Sequence, residues 1–150
     1  MGCLVIEFFV RVVLDSSVLV AAVRSQTGAS NMLLTLASEG KLTLLASPPL
    51  FLEYEDVLLR PTHIEAHGWP AEMIDRLLRA IAQRLEPVDI RFQWRPQLPD
   101  PGDEMVLEAA VSGRADALVT HNRRHFIPAE KLFGIPVLTP GELVRRLRNE

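Results

Sequence analysis

Acidic and amide side chains stand at four separated points of the chain: Asp15, Glu53, the pair Asp103-Glu104, and Asn122. Asp15 directly follows the apolar run Val10 to Leu14, and Asn122 lies just past the apolar stretch Ala117 to Thr120. Glu53 sits two turns into a helical stretch that begins at Ser47-Pro48, while Asp103 and Glu104 open a helix after a long loop. In open parallel sheets, ligands bind outside the carboxyl ends of the strands, so these distant groups converge on one rim if the apolar runs are strands. Three or more carboxylates at one place repel one another, and their ionised forms are tolerable together only with a cation. Oxygen ligands favour Mg²⁺ or Mn²⁺ over zinc. Such an ion orients a water, helps deprotonate it and stabilises charge developing on a phosphate, so no covalent nucleophile is needed.

Each group also has a purely structural role open to it. Asp15 can cap the next helix. Glu53 shares a helix face with Leu50 and Val57, whereas Glu55 points roughly the opposite way. An inward carboxylate needs a metal, another partner or a shifted pKa, and at the edge of the stripe Glu53 can reach water or an arginine. Asp103 and Glu104 are favourable at a helix N-terminus on dipole grounds alone. Other chemistries find little support. The chain has no Gly-x-x-x-x-Gly-Lys phosphate loop, no Gly-x-Gly-x-x-Gly and no Gly-x-Ser-x-Gly elbow. His63 and His67 are four apart, but the neighbouring prolines and Gly68 read as a loop, which argues against a zinc pair.

The elements that must position these residues follow from periodicity. Strands are expected at Val10–Leu14, Leu42–Ala46, Val88–Phe92, Ala117–Thr120 and Pro136–Leu138. Helices are expected at Ser16–Arg24, Ala29–Gly40, from Ser47-Pro48 to about Arg60, from Pro70 to Leu85, from Asp103 to about Ser112, and after Thr139-Pro140. The stretch Gln93 to Gly102 reads as a loop. Strands alternating with helices imply a three-layer α/β/α domain around a parallel sheet of about five strands. With 150 residues there is room for one such domain and not comfortably for two. The formal net charge of −3 supplies no global basic field, so any nucleic acid must be held locally. Cys3 is the only cysteine, which excludes an intrachain disulfide framework and fits a reducing, cytoplasmic setting. The apolar run Cys3 to Leu14, broken by Glu7 and Arg11, is too short to span a bilayer, so no membrane role is expected.

Four segments in order resemble the PIN-domain family, and in particular VapC-type toxins. They are Val12-Val13-Leu14-Asp15-Ser16-Ser17-Val18-Leu19-Val20-Ala21-Ala22, Ser47-Pro48-Pro49-Leu50-Phe51-Leu52-Glu53, Asp103-Glu104-Met105-Val106-Leu107-Glu108-Ala109-Ala110, and Leu118-Val119-Thr120-His121-Asn122-Arg123-Arg124-His125-Phe126. The likeness runs from about Val12 to Thr139. It implies a Mg²⁺- or Mn²⁺-dependent endoribonuclease, the toxin of a toxin–antitoxin pair, often a homodimer and silenced by a small cognate antitoxin. It further implies that Asp15, Glu53 and Glu104 are metal ligands, with Asp103 as competitor for the third place, and that Asn122 orients a ligand or water. Arg123 and Arg124 would then hold RNA phosphates. The chain departs from the pattern at Ser17, where Asn is frequent, at Glu104, where Asp is usual, and at Asn122 and His125, where an Asp is often found. A catalytically weak domain that binds RNA or protein is the alternative. Asp116, at the opening end of its strand, stands far from the rim.

Residues Met1 to Phe9 match no part of that pattern, so the domain is expected over residues 10–150 with 1–9 as an extension. A chain starting at Val10 should fold with the far-ultraviolet circular dichroism and melting profile of the longer one; an unfolded product would refute the boundary.

Overall fold

The computed structural model describes residues 10–91 and 98–148. The extension assigned to Met1–Phe9, the end of the strand expected to reach Phe92, and Gln93 to Gln97 of the expected loop lie outside the described residues. In chain order the elements are β1 (Val10–Leu14), α1 (Ser16–Arg24), α2 (Ala29–Ser38), β2 (Leu42–Ala46), α3 (Pro48–Leu58), α4 (Pro61–His67), α5 (Ala71–Arg84), β3 (Glu86–Pro87), α6 (Pro101–Ser112), β4 (Ala117–Val119), a 3₁₀ turn (Arg123–Phe126), α7 (Ile127–Phe133), β5 (Val137–Leu138) and α8 (Pro140–Arg148).

All five strands are parallel, in the order β3-β2-β1-β4-β5. The central strand β1 pairs on both sides, Val12 standing opposite Leu44 of β2 and Ala117 of β4. A strand enclosed on both faces must be apolar throughout rather than alternating; Val12 and Val13 are fully buried, as are Leu45 and Leu118. Helices cover both faces, α6 lying across β1, β2 and β4, and α2 packing against β2 and α8. The strand order runs outward in opposite directions from β1 and β4, so the crevice between their carboxyl ends is the topological switch point, where ligands bind in such sheets.

Local chemistry sets the helix boundaries. Pro48 occupies the first turn of α3, and the Ser47 hydroxyl accepts the Leu50 N–H at 3.2 Å. At α8, Thr139 and Glu142 form a reciprocal capping box, the Thr139 N–H donating to Glu142 and the Glu142 N–H to the Thr139 hydroxyl. The apolar stripe expected on α5 buries Ile74, Leu78 and Ile81.

Four elements differ from expectation. Residues 61–67 are helix rather than loop, because Pro61 opens α4 as well as ending the chain direction of α3, and Gly68 closes it at φ 72°. The strand expected at Val88–Phe92 is instead the short edge strand Glu86–Pro87, where a proline is tolerated; Val88 only continues its pairing through a bond to the Ala46 carbonyl. The 3₁₀ turn and α7 went unforeseen, although Pro128 opens α7 and Gly134, at φ 67°, ends it.

Phe126 is fully buried and anchors the segment that follows β4. Phe126→Ala should therefore lower the unfolding free energy by about 3–5 kcal/mol in urea titrations; a loss below about 1 kcal/mol would mean that this ring does not hold the segment.

Candidate active site

A cavity of about 510 Å³ opens at the switch point, and four carboxylates line it: Asp15, Glu53, Asp100 and Asp103. Asp15 is 6% exposed. Its backbone N–H extends the sheet by bonding the Val119 carbonyl at 2.9 Å. It occupies the N-cap position of α1, yet its side chain makes no capping bond. Instead Oδ2 accepts the Thr120 hydroxyl at 2.7 Å and the Ser17 hydroxyl at 2.9 Å. Both hydroxyls are themselves held by the segment after β4: Thr120 Oγ1 accepts the Asn122 N–H at 2.9 Å, and Ser17 Oγ accepts the His121 N–H at 3.3 Å. With both donors on Oδ2, Oδ1 is the oxygen available to a ligand.

Glu53 reaches the cavity because its neighbours hold α3 in place. Leu50 and Val57 are buried, and the buried Tyr54 hydroxyl donates to the Leu14 carbonyl at 2.5 Å, tying α3 to the end of β1. Burial, with the Asp15 charge adding to it, pushes the Tyr54 phenol far up, so it stays a neutral donor. Glu53 itself is raised, first by burial and then by the charges of Asp56, Asp100 and Asp15, against the Arg60 guanidinium, which lowers it. Glu55 does not line the cavity.

Asp100 was not anticipated. It caps α6, Oδ1 accepting the Gly102 N–H at 2.7 Å. Gly102 lies between two acids: a Cβ there would come within 3.0 Å of Glu53 Oε2 and 3.2 Å of Asp100 Oδ1. The Asp-Pro-Gly sequence signalled the cap, but nothing in it signalled convergence with Glu53.

Of the next two positions, only Asp103 lines the cavity. Its Oδ2 lies 3.2 Å from His125 Nδ1. Burial foremost, then the charges of Asp15 and Asp100, raise its pKa to about 6, while His125 acts in the lowering direction. Glu104 is buried and absent from the cavity wall; Oε1 accepts the Leu98 N–H at 2.7 Å. One residue along a helix turns the side chain by about 100°, which is enough to exchange the cavity for the loop before α6.

Asn122 is exposed on the cavity rim. Arg123 and Arg124 do not line the cavity, and Arg123 pairs with Glu142 at 3.4 Å. Asp116 stands at the other end of the sheet, exchanging bonds with the backbone of Arg11. His63 and His67 do share a helix, contrary to the loop expected there, but His67 Nδ1 accepts the Trp69 N–H at 2.8 Å while His63 faces the cavity.

Among the described residues, no three His, Cys, Asp or Glu side chains stand close enough to hold one ion directly. The chemistry nevertheless fits a hard divalent cation. The donors are carboxylate oxygens, burial and then the charges of Asp15 and Asp100 raise Asp103, and Mg²⁺ ordinarily retains several waters while touching one or two carboxylates.

A family model described as the PIN domain matches residues 11–124. No curated protein matches the sequence. Among solved structures, PAE2754 from Pyrobaculum aerophilum is similar with a TM-score of 0.62 and 16% identity, over 94% of this chain and 91% of that one. VapBC2 from Rickettsia felis, bound to a DNA fragment from their promoter, gives a TM-score of 0.56 and 15% identity, over 86% of this chain and 98% of that one. At such identities the likeness is one of fold.

The elevated Asp103 fixes the sign of a pH effect. Because the folded state binds this proton more tightly than the unfolded chain, stability is lost as pH rises through the window from about 4 to about 6. In chelator-treated protein, Asp103→Asn should thus gain stability relative to the parent as pH rises from 4 to 7. A difference independent of pH, measured by urea unfolding, would contradict the burial of this carboxyl group.

Proposed function

Because the chain belongs to the PIN-domain family, we propose that it is a divalent-metal-dependent endoribonuclease acting as the toxin of a toxin–antitoxin pair. The observation that carries this reading is the convergence of Asp15, Glu53, Asp100 and Asp103 on one cavity at the sheet's switch point. A Mg²⁺ or Mn²⁺ ion bound there supplies an activated water and charge stabilisation for the phosphate. The residues supply its seat. Asp15, held on Oδ2 by two hydroxyls, offers Oδ1 without having to reorganise. Glu53, whose pKa burial and the neighbouring acids raise against Arg60, gains from a cation that favours its ionised form. Asp103 rather than Glu104 is the third acid, Asp100 assists from the cap, and the Asn122 amide orients a water or phosphate oxygen at the rim. Glu104 keeps the loop before α6 in register through Leu98.

RNA as substrate and a small antitoxin as partner are read from the resemblance to VapC-type toxins, whose fold VapBC2 shares. A homodimer and cytoplasmic action belong to the same proposal, as does a single domain over residues 10–150. Among the described residues no helix is long and apolar enough to cross a membrane. A catalytically weak binding domain is favoured by one observation, that His125 pairs with Asp103, and by the resemblance, under which Asn122 and His125 stand where acids are expected.

Cleavage of single-stranded RNA should require Mn²⁺ or Mg²⁺ and disappear with chelator. Loss of a residue that only orients a ligand costs about 10–100-fold, so Asp15→Asn and Glu53→Gln should each cost about a hundredfold or more, with unchanged circular dichroism. Glu55→Gln should be nearly silent. Equal losses at Glu53 and Glu55 would overturn the assignment, and metal binding without any cleavage would establish the weak binding domain instead.

A further inference from the structure

The cavity is lined by cationic as well as acidic side chains. Besides the acids, its lining includes Arg24, the last residue of α1, Arg60, between α3 and α4, and His63, in the first turn of α4, and both guanidinium charges act on His63. Arg24 is exposed and makes no ion pair among the described residues. Arg60 pairs with Asp56 at 3.0 Å, but both side chains are more than half exposed, and such a pair is readily exchanged. His63 Nδ1 is buried without a hydrogen-bond partner. Burial, then the charges of Arg24, Arg60 and His67, lower the His63 pKa, so the ring stands neutral beside two guanidinium groups and retains one N–H to donate.

An occupant of the whole cavity must satisfy both groups. To the acids it has to present an oxyanion that a cation can bridge, and to the basic cluster a second anion matched to guanidinium forks. A phosphodiester chain carries anions at successive positions and meets both demands. The chain as a whole is acidic, with a net charge of −3, so a local subsite is the means by which a polyanion is drawn in. We propose that Arg24, Arg60 and His63 form a phosphate subsite that grips a backbone phosphate of single-stranded RNA adjacent to the one cleaved at the acids. This deepens the nuclease reading and rests on it for the register of the substrate. It replaces Arg123 and Arg124, which lie off the cavity wall, as the principal RNA contacts.

The test combines Mn²⁺-supported cleavage of a fluorescein-labelled single-stranded RNA oligonucleotide with its binding, followed by fluorescence anisotropy in EDTA, across a salt series. Arg24→Gln and Arg60→Gln should each weaken RNA about tenfold, the loss falling mainly on KM. Each should also flatten the slope of log affinity against log salt by about 0.7. Arg24→Lys keeps the charge, so it should keep the salt slope and recover most of the affinity. Unchanged KM and slope in both glutamine variants, with cleavage intact, would overturn the subsite and leave the nuclease reading standing. Arg24-dependent RNA binding in EDTA without cleavage under Mn²⁺ would support the subsite and refute the nuclease. Competition by a polyglutamate peptide as effective as RNA would assign the basic cluster to an acidic protein segment and overturn the phosphate.

Discussion

The acid cavity depends on the pair of hydroxyl bonds that Thr120 and Ser17 make to Asp15 Oδ2. A carboxylate only 6% exposed is costly unless its oxygens find donors. Here the donors come from both sides of the switch point, Ser17 from α1 and Thr120 from the end of β4. Since each hydroxyl also accepts a backbone N–H from the segment after β4, its hydrogen is committed toward Asp15. One oxygen is thus used to join two strands and a helix, and the other is left to chemistry. The Ser17 found where the resemblance leads one to expect Asn is sufficient for this task.

Crowding of like charges shapes the remainder. Beyond burial, the charges of Asp15 and Asp100 raise the proton affinity of both Glu53 and Asp103, while Arg60 and His125 oppose the accumulation at its edges. Gly102 belongs to the same arrangement. Its missing side chain lets the first turn of α6 approach Glu53, and a methyl group there would press on two carboxylates at once. The cavity is therefore a compromise between proximity, which a cation rewards, and repulsion, which the metal-free protein bears.

Much of this was legible in the sequence where the signal was periodic or capped. The continuous apolar runs marked β1, β2 and β4, Ser47-Pro48 marked α3, and the stripe of Ile74, Leu78 and Ile81 marked α5. Placement of Asp15 and Glu53 followed, because one ends a strand and the other shares a face with Leu50 and Val57. Legibility failed where one residue type serves two purposes. Pro61 both follows one helix and starts α4, and Asp100 belongs to a proline-rich run that reads as loop although it caps α6 beside Glu53. Which of Asp103 and Glu104 lines the cavity is a matter of rotation about the helix axis, set by where α6 begins at Pro101, which spacing to β4 could not reveal. The basic cluster was invisible for another reason. Arg24, Arg60 and His63 sit at helix ends, and only the tertiary packing of α1 against α3 and α4 brings them together.

The separation along the chain between the partners of the Asp15 clamp has a consequence for synthesis. The Asp15–Thr120 bond joins residues 105 positions apart, and contacts of such separation form late. A ribosome adding about 5–20 residues per second exposes Asp15 and Glu53 long before the partner strand exists. Until β4 has emerged and docked, the nascent polypeptide carries acids but no crevice. A chain released before Thr120 therefore lacks the switch-point crevice, whatever acids it carries.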